Sequence, residues 1–181
     1  MSKKIRAIPA VLAAAAAMCA AAPPADLHAA GRISAIVVYV SGDVQIQRGG
    51  ETAWFPAKAS ELLYTDDSMQ TGPLSYASIA LKFGSEVRLN ENSILRIIPG
   101  NISADRLALD IGQVWTRLLQ PRGRLEIGTP SAICAVRGTE ADIAHRARLT
   151  VKVYEGHVDL SNSAGRRSLA AGQMSRVDAP G

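Results

Sequence analysis

Cys134 is the residue with the most direct route to chemistry. It stands in TPSAICAVRGTE, residues 129–140. A thiol nucleophile needs a base near enough to take its proton. His145 and His157 are the candidate bases, and their spacing brings neither beside Cys134. The run Ile133 to Val136 is apolar toward both faces of an extended strand, and a free cysteine there packs as a small core residue. No Gly-x-Ser-x-Gly, His-Glu-x-x-His or phosphate-binding glycine loop occurs. Two histidines twelve residues apart without a cysteine pair do not make a zinc site. We therefore expect no catalytic residues, no cofactor and no metal. The alternative, a Cys134-dependent enzyme, is testable by thiol reactivity. The acid pair Asp66-Asp67, flanked by Thr65 and Ser68, reads as a turn between strands.

The four residues after Val136 carry a different signal. Along a regular strand, Arg137 and Glu140 point to opposite faces. A bulge at Gly138 shifts the register by one and brings both to the same side, where they are expected to pair. Arg137, Gly138, Thr139 and Glu140 are thus read as an architectural corner. An exposed pair there contributes about 0–1 kcal/mol, whereas a buried one strands a charge when either partner is removed.

The elements that must position this corner are strands. Leu149, Val151 and Val153 alternate with Thr150, Lys152 and Tyr154. Ile94 to Ile98 is denser, as in a strand buried on both faces. Gly, Asn, Asp and Pro separate such segments, and the pattern predicts an all-β domain. YVSGDVQI (39–46), LDIGQVWT (109–116) and VYEGHVDL (153–160) each place a glycine before x-Val, at Gly42, Gly112 and Gly156. KFGSEVRL (82–89) is a looser variant around Gly84. The repeat reads as strand, corner, strand, because glycine accepts positive φ and close backbone approach. Unequal spacing excludes a regular repeat array. An irregular β-solenoid and a sandwich whose strands turn corners both fit.

The first thirty residues differ from the rest. Lys3, Lys4 and Arg6 precede an apolar run from Ala7 to Ala22, followed by small residues with Ala21, Ala29 and Ala30 as cleavage candidates. A run of 16 is short against the roughly 20 residues of a membrane span. Residues 1–30 are read as a cleaved signal peptide, 31–178 as one β domain and 179–181 as a frayed tail. Without residues 1–30 the formal charge falls from +4 to +2, with 17 basic and 15 acidic residues. That balance makes no case for nucleic acid. Cys19 leaves with the signal, so Cys134 has no intramolecular partner and the fold must rest on its core.

TPSAICAVRGTE resembles the signature of the FecR domain, an extracytoplasmic β domain known from iron-transport signalling. GDVQIQ, LLYTDDSMQTGPLSYASIALKFGSEVRLNENSILRI, IGQVWTRL and VYEGHVDLSNSAGRRSLAAGQMSRV are similar to the family's other runs, in the same order. The resemblance covers residues 36–177, and Arg137 to Glu140 is its most specific part. It implies a sensing and interaction module without established catalysis. Two departures stand out. Ala141 occupies a position often aromatic in the family, and a signal peptide replaces the cytoplasmic sigma-binding domain and transmembrane helix.

The expected function is a binding module of the cell envelope, periplasmic or secreted and not membrane-spanning once processed. Its partner is an envelope or secreted protein or a small ligand. A structural or assembly subunit is the alternative. Arg122, Arg124, Arg166 and Arg167 fall near predicted turns and read as solvated charges rather than one acidic-partner surface. Trp54, Phe55 and Trp115 read as packing residues.

Overall fold

The computed structural model describes residues 32–101, 104–120 and 123–178, apart from the side chain of Thr139. Residues 1–30, the tail 179–181 and Arg122 lie outside the described residues. Among the described residues all regular structure is β. Eight strands come first: β1 (Ile33–Ser41), β2 (Val44–Gln47), β3 (Trp54–Pro56), β4 (Leu62–Tyr64), β5 (Ser68–Thr71), β6 (Tyr76–Leu81), β7 (Ser85–Leu89) and β8 (Ser93–Ile98). Then follow β9 (Asp105–Leu118), β10 (Leu125–Gly128), β11 (Ile133–His145), β12 (Arg148–Asn162), β13 (Gly165–Ala170) and β14 (Met174–Asp178).

Their pairing makes two layers. The first runs β4, β1, β6, β7, the second half of β9, the second half of β11, the first half of β12 and β14. The second runs β3, β2, β5, β8, the first half of β9, β10, the first half of β11, the second half of β12 and β13. The long strands β9, β11 and β12 therefore belong to both layers, and β1 passes into β2 in the same way. This is the sandwich with glycine corners, not the solenoid.

Side-chain parity records each corner. In β12, Leu149, Val151 and Val153 are buried before Gly156, and Val158 and Leu160 after it. In β11, Cys134 and Val136 give way to Ala141 and Ile143 across Gly138. In β9, Leu107 and Leu109 give way to Val114 and Leu118 across Gly112. One residue outside the pleat lets both halves of a strand face the same interior. These side chains join a single buried cluster, and burying each Leu, Ile or Val contributes roughly 1.5–3 kcal/mol.

Two corners are closed by the same device. At Gly112 the Gln113 amide donates to Ser93 Oγ at 2.9 Å, and Ser93 Oγ donates to Glu91 O at 3.0 Å. At Gly42 the Asp43 amide donates to Ser75 Oγ at 2.8 Å, and Ser75 Oγ donates to Pro73 O at 2.9 Å. A Cβ on Gly112 would collide with Ser93, so only glycine leaves room for the serine. The residue before each serine has positive φ: Asn92 at 52° and Leu74 at 53°.

Two sequence expectations are corrected. β8 is buried on one face only: Leu95 and Ile97 are buried, while Ile94 and Ile98 are half-buried and Arg96 is exposed. The outer face of its layer has no second layer over it among the described residues. Gly84 is no corner either, because β6 and β7 on its two sides pair antiparallel as a hairpin within one layer.

Candidate functional site

Gly138 has φ +111°, and a Cβ there would come 2.6 Å from the Gly156 Cα. The two long strands thus turn their corners against each other, glycine on glycine. Arg137 pairs in register with His157 and Glu140 with Glu155, so β11 carries one extra residue between them. The next pair is Ala141 with Val153, which puts the compensating extra residue on β12. The register before and after the corner is therefore the same.

Arg137 and Glu140 both face outward, but the expected pair between them does not form. Arg137 Nε lies 3.5 Å from Asp159 Oδ2, and both side chains are about half exposed, at 49% and 40%. Glu140 Oε1 accepts the Trp115 Nε1–H bond at 2.9 Å. The corner separates them physically, since Arg137 projects from one layer and Glu140 from the other. Thr139 sits between them in the strand. Ala141, where the family pattern is often aromatic, is fully buried.

Glu140 connects to a ladder on the outer face of the first layer. Trp115 lies in register with Arg88 on one side and Asp142 on the other. The Arg88 guanidinium carbon stands 5.5 Å from the Trp115 ring centroid. Gln113 Nε2 donates to Asp142 Oδ2 at 2.6 Å. The indole is therefore held at its N–H by Glu140 and covered on its face by Arg88. Nothing in the spacing of residues 88, 115 and 140 revealed this set, because three different strands supply it.

The thiol is not part of a reactive centre. Cys134 is fully buried, and burial pushes its thiol up to about 12. No thiolate forms at neutral pH. The buried His145 has both ring nitrogens engaged, Nδ1 with Asp110 O at 3.0 Å and Nε2 with Ser131 Oγ at 3.3 Å. His157 is exposed on the corner. Among the described residues no His, Cys, Asp or Glu cluster is fit to hold a metal ion.

Two carboxylates behave unlike turn residues. Asp67 is buried and accepts from Arg48 Nη1 at 2.7 Å, the Gly49 amide at 3.0 Å and the Tyr64 amide at 3.0 Å. Arg48 also reaches Glu61 Oε1 at 2.6 Å. This clamp ties the turn after β4 to the end of β2. The Asp-Asp turn was legible, whereas Arg48, nineteen residues earlier, was not. Asp105, at the start of β9, is also buried, and its carboxylate receives the Phe83 amide at 3.2 Å. Burial raises its carboxyl from 3.8 to about 6, against the Phe83 hydrogen bond and the Lys82 charge that lower it.

The basic residues do not converge. Arg166 and Arg167 lie on β13, while Arg124 precedes β10, three strands away. Trp54 and Trp115 are half-buried and Phe55 is exposed.

Comparison with known proteins locates the fold. The model of a family described as FecR protein matches residues 67–159. Two crystal structures of a candidate anti-sigma factor from Parabacteroides distasonis have TM-scores of 0.55 and 0.54 to this chain at 15% identity. Each comparison covers 61% of this chain and 54% of the other, so the chain spans about half the length of those proteins. No curated protein matches.

Proposed function

We propose, from the premise that this chain belongs to the FecR protein family, that it is a non-enzymatic binding module acting in signal reception at the cell envelope. The observation that carries this reading is the extent of the family match. It includes strands of both layers, β5 to β11 and most of β12, and the corners at Gly112, Gly138 and Gly156. The crystal structures that share the fold are of a candidate anti-sigma factor, a regulatory rather than a catalytic class. The buried thiol of Cys134 supports the same conclusion by depriving the enzyme alternative of its nucleophile.

Residues 1–30 act as a signal peptide, and the β domain works in the periplasm or outside the cell. No helix among the described residues is long and apolar enough to cross a membrane. The partner is an envelope or secreted protein, or a small ligand.

The test is site-specific photocrosslinking in intact cells from outward positions such as Lys152 and Arg166. A discrete conjugate with another envelope protein supports the binding reading. Conjugates formed only between copies of this chain replace it with an assembly subunit.

A further inference from the structure

The two serine-closed corners share a backbone conformation but differ in the residue that adopts it. Asn92 and Leu74 hold equivalent left-handed positions, each one residue before the serine. Asparagine suits that conformation because its side chain bonds locally, and leucine does not. Leu74 nonetheless stands there with 89% of its surface exposed. Local backbone energetics would choose Asn or Gly, and burial gives the leucine no return.

What surrounds Leu74 suggests the reason. It lines a groove of about 550 Å³ together with Tyr76, Arg88, Gln113 and Arg146. Tyr76 stacks on Tyr39 at 5.5 Å between ring centroids, and both rings are exposed. Next to them on β1, Val38 is 53% exposed. The groove's charged lining is two arginines against Glu91. Glu91 Oε2 accepts the Leu74 amide at 2.7 Å, which holds the leucine turn in place. Arg88 makes no ion pair among the described residues. Its face is taken by Trp115, which leaves the guanidinium edge as a fork of donors suited to a carboxylate. Among the described residues the Arg146 side chain bonds only a backbone carbonyl, Glu91 O, at 3.4 Å.

We propose that this groove on the first layer binds a partner-protein segment carrying an Asp or Glu side chain next to a large apolar one. The carboxylate meets the Arg88 edge and Arg146, and the apolar side chain packs on Leu74 and the tyrosine pair. Aromatic and arginine anchors of this kind dominate protein interfaces. Glu140 is a positioning residue here: it fixes the Trp115 indole, and the indole fixes Arg88. The proposal rests on the binding reading above and adds the surface and the chemistry of the partner.

The experiment selects displayed random twelve-residue peptides against the full chain, then measures affinities of the selected peptides by fluorescence anisotropy. Selected sequences should be enriched in Asp or Glu beside Leu, Phe or Trp. Leu74→Asn and Arg88→Ala should each weaken them at least tenfold. Leu74→Asn should leave the thermal midpoint unchanged or higher, since asparagine suits the left-handed backbone, so lost binding cannot be ascribed to unfolding. Glu140→Ala should weaken binding while Glu140→Gln, which keeps an acceptor for the indole, restores it. Failure to select binders, selection without acidic enrichment, or indifference to both Leu74→Asn and Arg88→Ala overturns the proposal. So does sedimentation showing that Leu74 instead holds two copies of this chain together. If photocrosslinking finds an envelope partner on another face, only the groove is wrong. If it finds none but self-conjugates, the binding reading itself falls.

Discussion

Replacing Gly138 with alanine should be among the most damaging single-methyl additions to this protein. Two costs combine. A φ of +111° is a region that L side chains rarely adopt, and holding one there costs about 1–3 kcal/mol. The added Cβ would also lie 2.6 Å from the Gly156 Cα, which is backbone and cannot rotate away. Relief requires β11 and β12 to separate where their corners cross, and such overpacking costs about 1–3 kcal/mol. The sum is about 2–6 kcal/mol, a large part of the 5–15 kcal/mol typical of a domain. Gly50 and Gly165 isolate the second cost. Their φ values of +81° and +143° bracket that of Gly138, and a Cβ at either meets nothing within 4 Å. Urea denaturation followed by tryptophan fluorescence should therefore show Gly138→Ala losing at least 1–2 kcal/mol more than either control, by the overpacking term. Equal losses in all three variants would refute the claim that glycine-on-glycine contact dictates this residue.

Arg137→Ala and Glu140→Ala should be additive within about 0.5 kcal/mol in the double mutant, because their partners are Asp159 and Trp115 rather than each other; a double-mutant cycle by chemical denaturation checks it. Arg137→Ala alone should cost no more than about 1 kcal/mol, as an exposed ion pair does. Cys134→Ala should cost about 1 kcal/mol or somewhat more through a small cavity, and the native thiol should react with alkylating reagents only as the protein unfolds. Asp105 should make stability fall as pH rises from about 4 to 6, since its folded carboxyl holds a proton up to about 6 against 3.8 when unfolded. The penalty above pH 6 is on the order of 2–3 kcal/mol at one pKa unit per 1.36 kcal/mol. Asp105→Asn should flatten that slope in denaturation curves across the range and stabilise the protein at pH 7; an unchanged slope removes Asp105 as its cause.

The strand content, the corners at Gly42, Gly112 and Gly156, and the bulge at Gly138 were legible in the sequence. They are local: alternation and glycine placement state what one stretch of backbone can do, whatever lies around it. The flip of buried parity in β12 follows from Leu149, Val151, Val153 and then Val158, with the glycine between. The buried state of Cys134 followed in the same way from its apolar flanks.

Partnership across strands was not legible. Arg137 and Glu140 are three residues apart, and sequence distance favoured pairing them. The corner instead sends one to each layer, where Asp159 and Trp115 are nearer. Asp67 looked like half of an acidic turn until the fold brought Arg48 to it. Arg88, Trp115 and Glu140 come from β7, β9 and β11, and Leu74 is conspicuous only against Asn92 in the second closed corner. Local sequence determined where this backbone can bend. Only the register between distant strands decided which side chains meet, because a shift of one residue turns every side chain to the opposite face.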